Sequence, residues 1–170
     1  MIIKQDCLKV GLVLTALTLL PLAYPALAGD QVPFEGVEVG NGVLTSQSFI
    51  FPYHYSSDIA EGEATHVGHF ILASDIAVDV RFGTATGTAT LTAANGDMLF
   101  LDLEGYAVPP ALIETVANYT IMGGTGRFEG ATGSFTSHVQ HAFAVNLGVA
   151  IDPYIGVFDG TISSPGSNKN

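Results

Sequence analysis

The side chains in this 170-residue chain best suited to move protons near neutral pH are its five histidines: His54, His66, His69, His138 and His141. They include two H-x-x-H pairs, His66/His69 and His138/His141, a spacing that invites a metal reading. Both pairs sit in alternating, strand-like sequence, where residues three apart point to opposite faces, so neither pair can chelate by itself. A metal site would need histidines from separate strands, such as His66 with His141, and a carboxylate such as Glu63 or Glu104. No resident metal and no other cofactor is expected.

Nucleophilic chemistry has less support. The single cysteine, Cys7, lies in a segment read below as removed, and no G-x-S-x-G elbow presents a serine. What remains is acid–base work by a carboxyl, imidazole or phenol in an apolar cavity, where loss of water raises a carboxyl pKa towards useful values. Parity along the strands picks the candidates. His141 shares a face with Phe135 and Phe143, and His66 shares one with Gly68, Phe70 and Leu72. If those faces point inward, His66 and His141 are buried polar groups that need explaining, with Glu104 and Tyr119 as companions. Phe70, Phe135 and Phe143 are then the apolar contacts of a ligand. The alternative for each polar group is a structural hydrogen bond to a loop backbone.

The elements that must position these groups read as strands. No segment carries an apolar stripe at helical spacing, while Gly, Thr, Val, Phe and Tyr are plentiful and turn signals recur at short intervals. Strands are expected near 32–39, 42–51, 63–73, 76–83, 85–94, 97–105, 115–122, 133–146 and 149–163. Asn95-Gly96 is the best local hairpin signal. The stretches Pro52 to Gly62 and Ala107 to Ile113 read as longer loops that could lid a barrel mouth. About eight strands in one domain suit a closed antiparallel β-barrel, an all-β fold that leaves no sheet edge exposed. Within Thr84 to Ala93 every even position is threonine, and the odd positions are Ala, Gly, Ala, Leu and Ala. With the threonines outside, the small inward side chains leave room for a ligand, unless Phe70, Phe100 and Phe135 fill it.

Residues 1–28 have the form of an export signal. Lys4 and Lys9 precede an apolar run from Val10 to Leu20, and Ala26-Leu27-Ala28 ends it with a small-x-small cleavage site. The run is short for a membrane span, which needs roughly 20 residues, so no stable membrane insertion is expected after cleavage. The expectation is a secreted or periplasmic protein cut after Ala28, with one barrel domain over 29–163 and a disordered tail over 164–170. Cleavage removes Cys7 and leaves no thiol to pair or react. The whole chain has 5 basic and 16 acidic residues and a formal net charge of −11. That balance disfavours nucleic acid as a partner, because binding to phosphates depends on Lys and Arg.

Five glycines crowd the stretch Gly123-Gly124-Thr125-Gly126-Arg127-Phe128-Glu129-Gly130-Ala131-Thr132-Gly133. It lacks the Lys-Ser/Thr of a phosphate-binding loop, and a strand follows where a dinucleotide site would have a helix. It reads as a forced turn between strands, with Arg127 pairing an acidic neighbour. With Tyr119-Thr120-Ile121-Met122 before it, this run resembles the signature of the allene oxide cyclase-like barrel group, and plant dirigent proteins carry a similar G-G-T-G-x-F strand. Pro33-Phe34-Glu35-Gly36, Ala64 to Phe70 and Thr92 to Phe100 resemble small secreted bacterial members of that group. The resemblance implies the closed barrel, in oligomers for some relatives, and a small hydrophobic ligand in the interior. It also implies, as alternatives, an isomerase, cyclase or dirigent-type enzyme with a buried acid–base group, or a structural surface scaffold. None of the relatives' catalytic residues falls on the matching stretches.

Overall fold

The computed structural model describes residues 30–44, 49–109, 113–142, 144–146 and 149–163. Residues 1–28, read above as an export signal, the expected tail 164–170 and Phe143 lie outside the described residues. The chain forms strands β1 (Gln31–Leu44), β2 (Phe49–Ile50), β3 (Tyr53–Ala64), β4 (Gly68–Asp79), β5 (Thr84–Ala93), β6 (Met98–Val108), β7 (Glu114–Gly124), β8 (Gly133–His141), β9 (Ala144–Asn146) and β10 (Val149–Ser163). The ladder runs β1-β10-β8-β7-β6-β5-β4-β3, and β3 pairs back onto β1. Every pairing is antiparallel, so eight strands close a barrel. The short β2 and β9 extend β3 and β10 beyond it.

The strand boundaries expected around β3 and β4 are corrected. Pro52 to Gly62, read as a loop, is mostly β3, and the expected break near 73–76 is absent. The chain turns instead at Thr65–Val67, inside the stretch read as one strand over 63–73. The alternation in β3 is His54, Ser56 and Asp58 against Tyr53, Tyr55 and Ser57, which offers no apolar face to recognise.

The interior divides into two halves. In one half Phe34, Phe135 and Phe158 pack with ring centroids 4.9 to 5.4 Å apart, and Phe70 lies 6.1 Å from Phe158. Leu91, Leu99, Leu101, Ile121 and Ile162 fill the remaining space. The glycine-rich stretch closes this end. A single 3-10 turn over Gly126–Phe128 presses Phe128 into the core, and Gly126, at φ 57°, lies so close to Asp97 that no side chain fits there. Arg127 pairs with Asp97 at 3.7 Å and donates to the Val67 carbonyl at 2.9 Å, tying this turn to the β3–β4 turn.

The other half is lined by small residues and stays open. The threonines of β5 face outward as expected, and the inward Ala85, with Gly105, Ala107 and Ala117 from β6 and β7, leaves a cavity of about 320 Å³. Room and filling were competing expectations for this interior; each holds at one end of the barrel.

Candidate binding and acid–base site

The open half of the barrel is apolar on one side and acidic on the other. Ile76 and Val78 of β4, Ala85 of β5 and Leu103 of β6 form an apolar wall. Opposite them stand Glu38 of β1, Asp58 of β3, Thr115 and Tyr119 of β7, His141 of β8, and Asp152 and Tyr154 of β10. Glycine on β1 brings the acidic groups together. In register, Gly42 lies between Asp58 on one side and Asp152 on the other, and a Cβ at Gly42 would come within 2.7 Å of Asp58 Oδ1. Gly40 likewise lies beneath the Tyr154 phenol.

Each acid is held differently. Glu38 is 3% exposed, and its Oε1 accepts a hydrogen bond from Ser137 Oγ at 2.8 Å. Burial pushes its pKa up, the Ser137 bond partly offsets this, and the nearby Asp58 adds to the rise. Burial also raises Asp58; Ser56, hydrogen-bonded to its Oδ1, opposes the shift, and Asp152 adds to it. Asp152 Oδ2 lies 2.7 Å from His141 Nδ1, whose ring Nε2 lies 2.8 Å from Thr115 Oγ1. A carboxylate can only accept, so the neutral ring carries its proton on Nδ1 and accepts the threonine hydroxyl at Nε2. The buried Asp152 Oδ1 has no hydrogen-bond partner among the described residues.

The phenols complete the site. Tyr119 stacks on Phe135 at 4.7 Å, and Tyr154 lies 5.8 Å from the His141 ring. Burial, with the carboxylates behind it, holds both phenols well above their ordinary range, so both stay protonated and can donate.

Two expected site residues, His141 and Tyr119, therefore face the cavity, and the structure brings them within one cluster. His66 does not join them. It is exposed in the β3–β4 turn at φ 64°, between the strands and at the opposite end of the barrel from the cavity. Glu104 is also corrected: Leu101 and Leu103 take the inward parity of β6 and leave it exposed on the outer face. Phe70 and Phe135 are buried in the packed half and do not line the cavity. Among the described residues no group of three or more His, Asp or Glu side chains converges on a metal position.

The sequence reading missed Glu38, Asp58, Asp152 and Tyr154. A usable signal existed for Glu38, which shares parity with Phe34 and Gly36. It was masked by Val37 and Val39, which look like core residues yet point outward.

No protein-family model matches the chain, and no curated protein matches it. Among solved structures it is similar to the pterocarpan synthase dirigent protein GePTS1, with a TM-score of 0.47 and 13% sequence identity. The match covers 86% of this chain and 97% of that one. The barrel described above rests on its own strand register.

Proposed function

We propose that this is an exported dirigent-like barrel protein, akin to the small secreted bacterial members of the allene oxide cyclase-like group, that takes a small, largely apolar molecule into the open half of its barrel. The observation that carries this reading is the cavity of about 320 Å³ with one apolar wall and a few convergent polar groups, the usual make-up of a small-molecule site. A scaffold role alone would leave no reason to keep half the interior open. Outward-facing Val37, Val39, Ile155 and Val157 form an exposed apolar strip that suits a homo-oligomer.

Native mass spectrometry of the protein recovered from its export compartment without detergent tests the reading. A retained small mass, lost when Ala117→Phe fills the cavity, supports it. An empty protein that takes up nothing from a lipid and phenolic library overturns it in favour of the scaffold.

A second reading, an isomerase, cyclase or dirigent-type enzyme, is favoured by the Thr115–His141–Asp152 line. Its hydroxyl, imidazole and carboxylate are spaced for proton transfer at 2.8 and 2.7 Å. Beside it, Glu38 and Asp58 have pKa values raised towards those of useful general acids. Turnover of a bound compound that disappears in His141→Ala while binding persists would establish the enzyme.

A further inference from the structure

The cavity wall holds acids but no strong base. Glu38, Asp58 and Asp152 line it, and no lysine or arginine does so among the described residues. The two arginines described are engaged elsewhere, Arg127 beneath the packed end with Asp97 and Arg81 on the outside with Asp79. Acidity alone does not define a site, but here polar atoms stand ready for a partner. Glu38 uses Oε1 for Ser137, and its Oε2 accepts no hydrogen bond from the described residues. Tyr119 and Tyr154, 5% and 8% exposed, line the same space, and neither hydroxyl has a hydrogen-bond partner among those residues.

We infer that the cavity takes an organic cation, a primary amine on an apolar body, with its ammonium group between Glu38 and Asp58 and its body against Ile76, Val78, Ala85 and Leu103. This rests on the reading of the cavity as a small-molecule site and adds the charge of its ligand. An ammonium offers three donors to two carboxylates that each accept a single side-chain hydrogen bond among the described residues. A ligand with a carboxylate would bring another negative charge into a space without a cation to pair it. A neutral alcohol brings one donor and leaves the remaining acceptors unmet. The position of the acids sets the orientation. Along β3, Asp58 lies next above Ala60 of the packed core, while His54 is nearer the mouth, so the ammonium group enters first.

The pairing also predicts proton release. Glu38 and Asp58 hold protons more tightly than ordinary carboxyls, and a cation that keeps them ionised displaces those protons, so affinity rises with pH. The other titratable groups facing this position are Tyr119, Tyr154 and Asp152, with His54 and His141 higher in the wall. A positive charge on either histidine would also repel the cation. Glu38→Gln separates the two sources.

Isothermal titration of the exported protein near neutral pH with 4-phenylbutylamine, 4-phenylbutan-1-ol and 4-phenylbutyrate tests the inference. The amine is expected to bind about tenfold or more tightly than the alcohol, and the acid not at all. Glu38→Gln is expected to weaken the amine by about tenfold and leave the alcohol nearly unchanged, with Asp58→Asn as the second variant should the first not fold. If the alcohol or the acid binds as well as the amine, or if neither variant affects the amine, the charge preference falls while the cavity reading stands. If none of the three binds at millimolar concentration, both fall.

Discussion

Glu38 and Ser137 meet over the top of a strand that belongs to neither of them. Ser137 Oγ donates to Glu38 Oε1 at 2.8 Å across 99 positions of sequence, and between their strands runs β10, with Gly156 directly beneath the bond. A Cβ at Gly156 would come within 2.6 Å of Glu38 Oε1 and 3.0 Å of Ser137 Oγ. The glycine is therefore a condition of the bond, and the bond is what holds the most buried acid of the cavity.

Gly156→Ala follows from this geometry. The added methyl must displace the Glu38 carboxylate from Ser137 and leave two buried polar groups without each other, at about 2 to 3 kcal/mol. Urea denaturation should show that loss. Glu38→Ala in the same background should recover part of it, since it removes the group the methyl displaces; additive losses would show that the clash lies elsewhere.

The barrel was legible because most strands alternate cleanly: the threonines of β5 outside its alanines, and Leu99, Leu101 and Leu103 inside β6. The site was not, because β1 and β10 invert the usual rule once they leave the packed half, where Phe34, Phe158 and Ile162 still point inward. Val37, Val39, Ile155 and Val157 point outward, while Glu38, Asp152, Tyr154 and Gly156 point inward. Taking apolar residues as inward there turns the polar cluster to the outside. Asp58 was lost for another reason, since β3 has no apolar face and reads as a loop. Phe70 and Phe135 show a third limit. Parity tells which way a side chain points but not at which end of the barrel it lies.

Stability should fall as pH rises through the titration of the buried acids. For Glu38 and Asp58 the folded-state pKa is raised, chiefly by burial, so the native protein binds more protons than the unfolded chain above the ordinary carboxylate range. Their contribution is full at low pH and is lost progressively towards their raised values. Asp79, held low by its ion pair with the half-exposed Arg81, acts in the opposite sense, but solvent screens that pair. Glu38→Gln and Asp58→Asn should each flatten the profile and add on the order of 1 kcal/mol near neutral pH. Thermal unfolding followed from pH 4 to pH 8 checks this, and an unchanged slope in both variants would contradict it.

Removing His141 should cost more than removing its threonine partner. His141→Ala takes from Asp152 the donor that its Oδ2 uses, while Oδ1 already lacks one, and leaves Thr115 unpaired. The expected loss is about 2 to 3 kcal/mol, against about 1 for Thr115→Val, which removes only a hydroxyl. Nitrogen-15 NMR of the imidazole should show the Nδ1–H tautomer in the wild type. Mixed tautomers in the wild type would mean that Asp152 does not orient the ring.

His66→Gly separates the turn from the site. His66 holds φ at 64° in the β3–β4 turn, a conformation that costs a residue with a Cβ about 1 kcal/mol and glycine almost nothing. Its backbone neighbour Val67 also anchors Arg127 through the 2.9 Å hydrogen bond at its carbonyl, so relaxing the turn should not disturb the cavity at the other end of the barrel. The variant is expected to gain up to about 1 kcal/mol in denaturation and to bind the amine probe with wild-type affinity. A loss of binding without a loss of stability would return His66 to the site, contrary to its place in the turn.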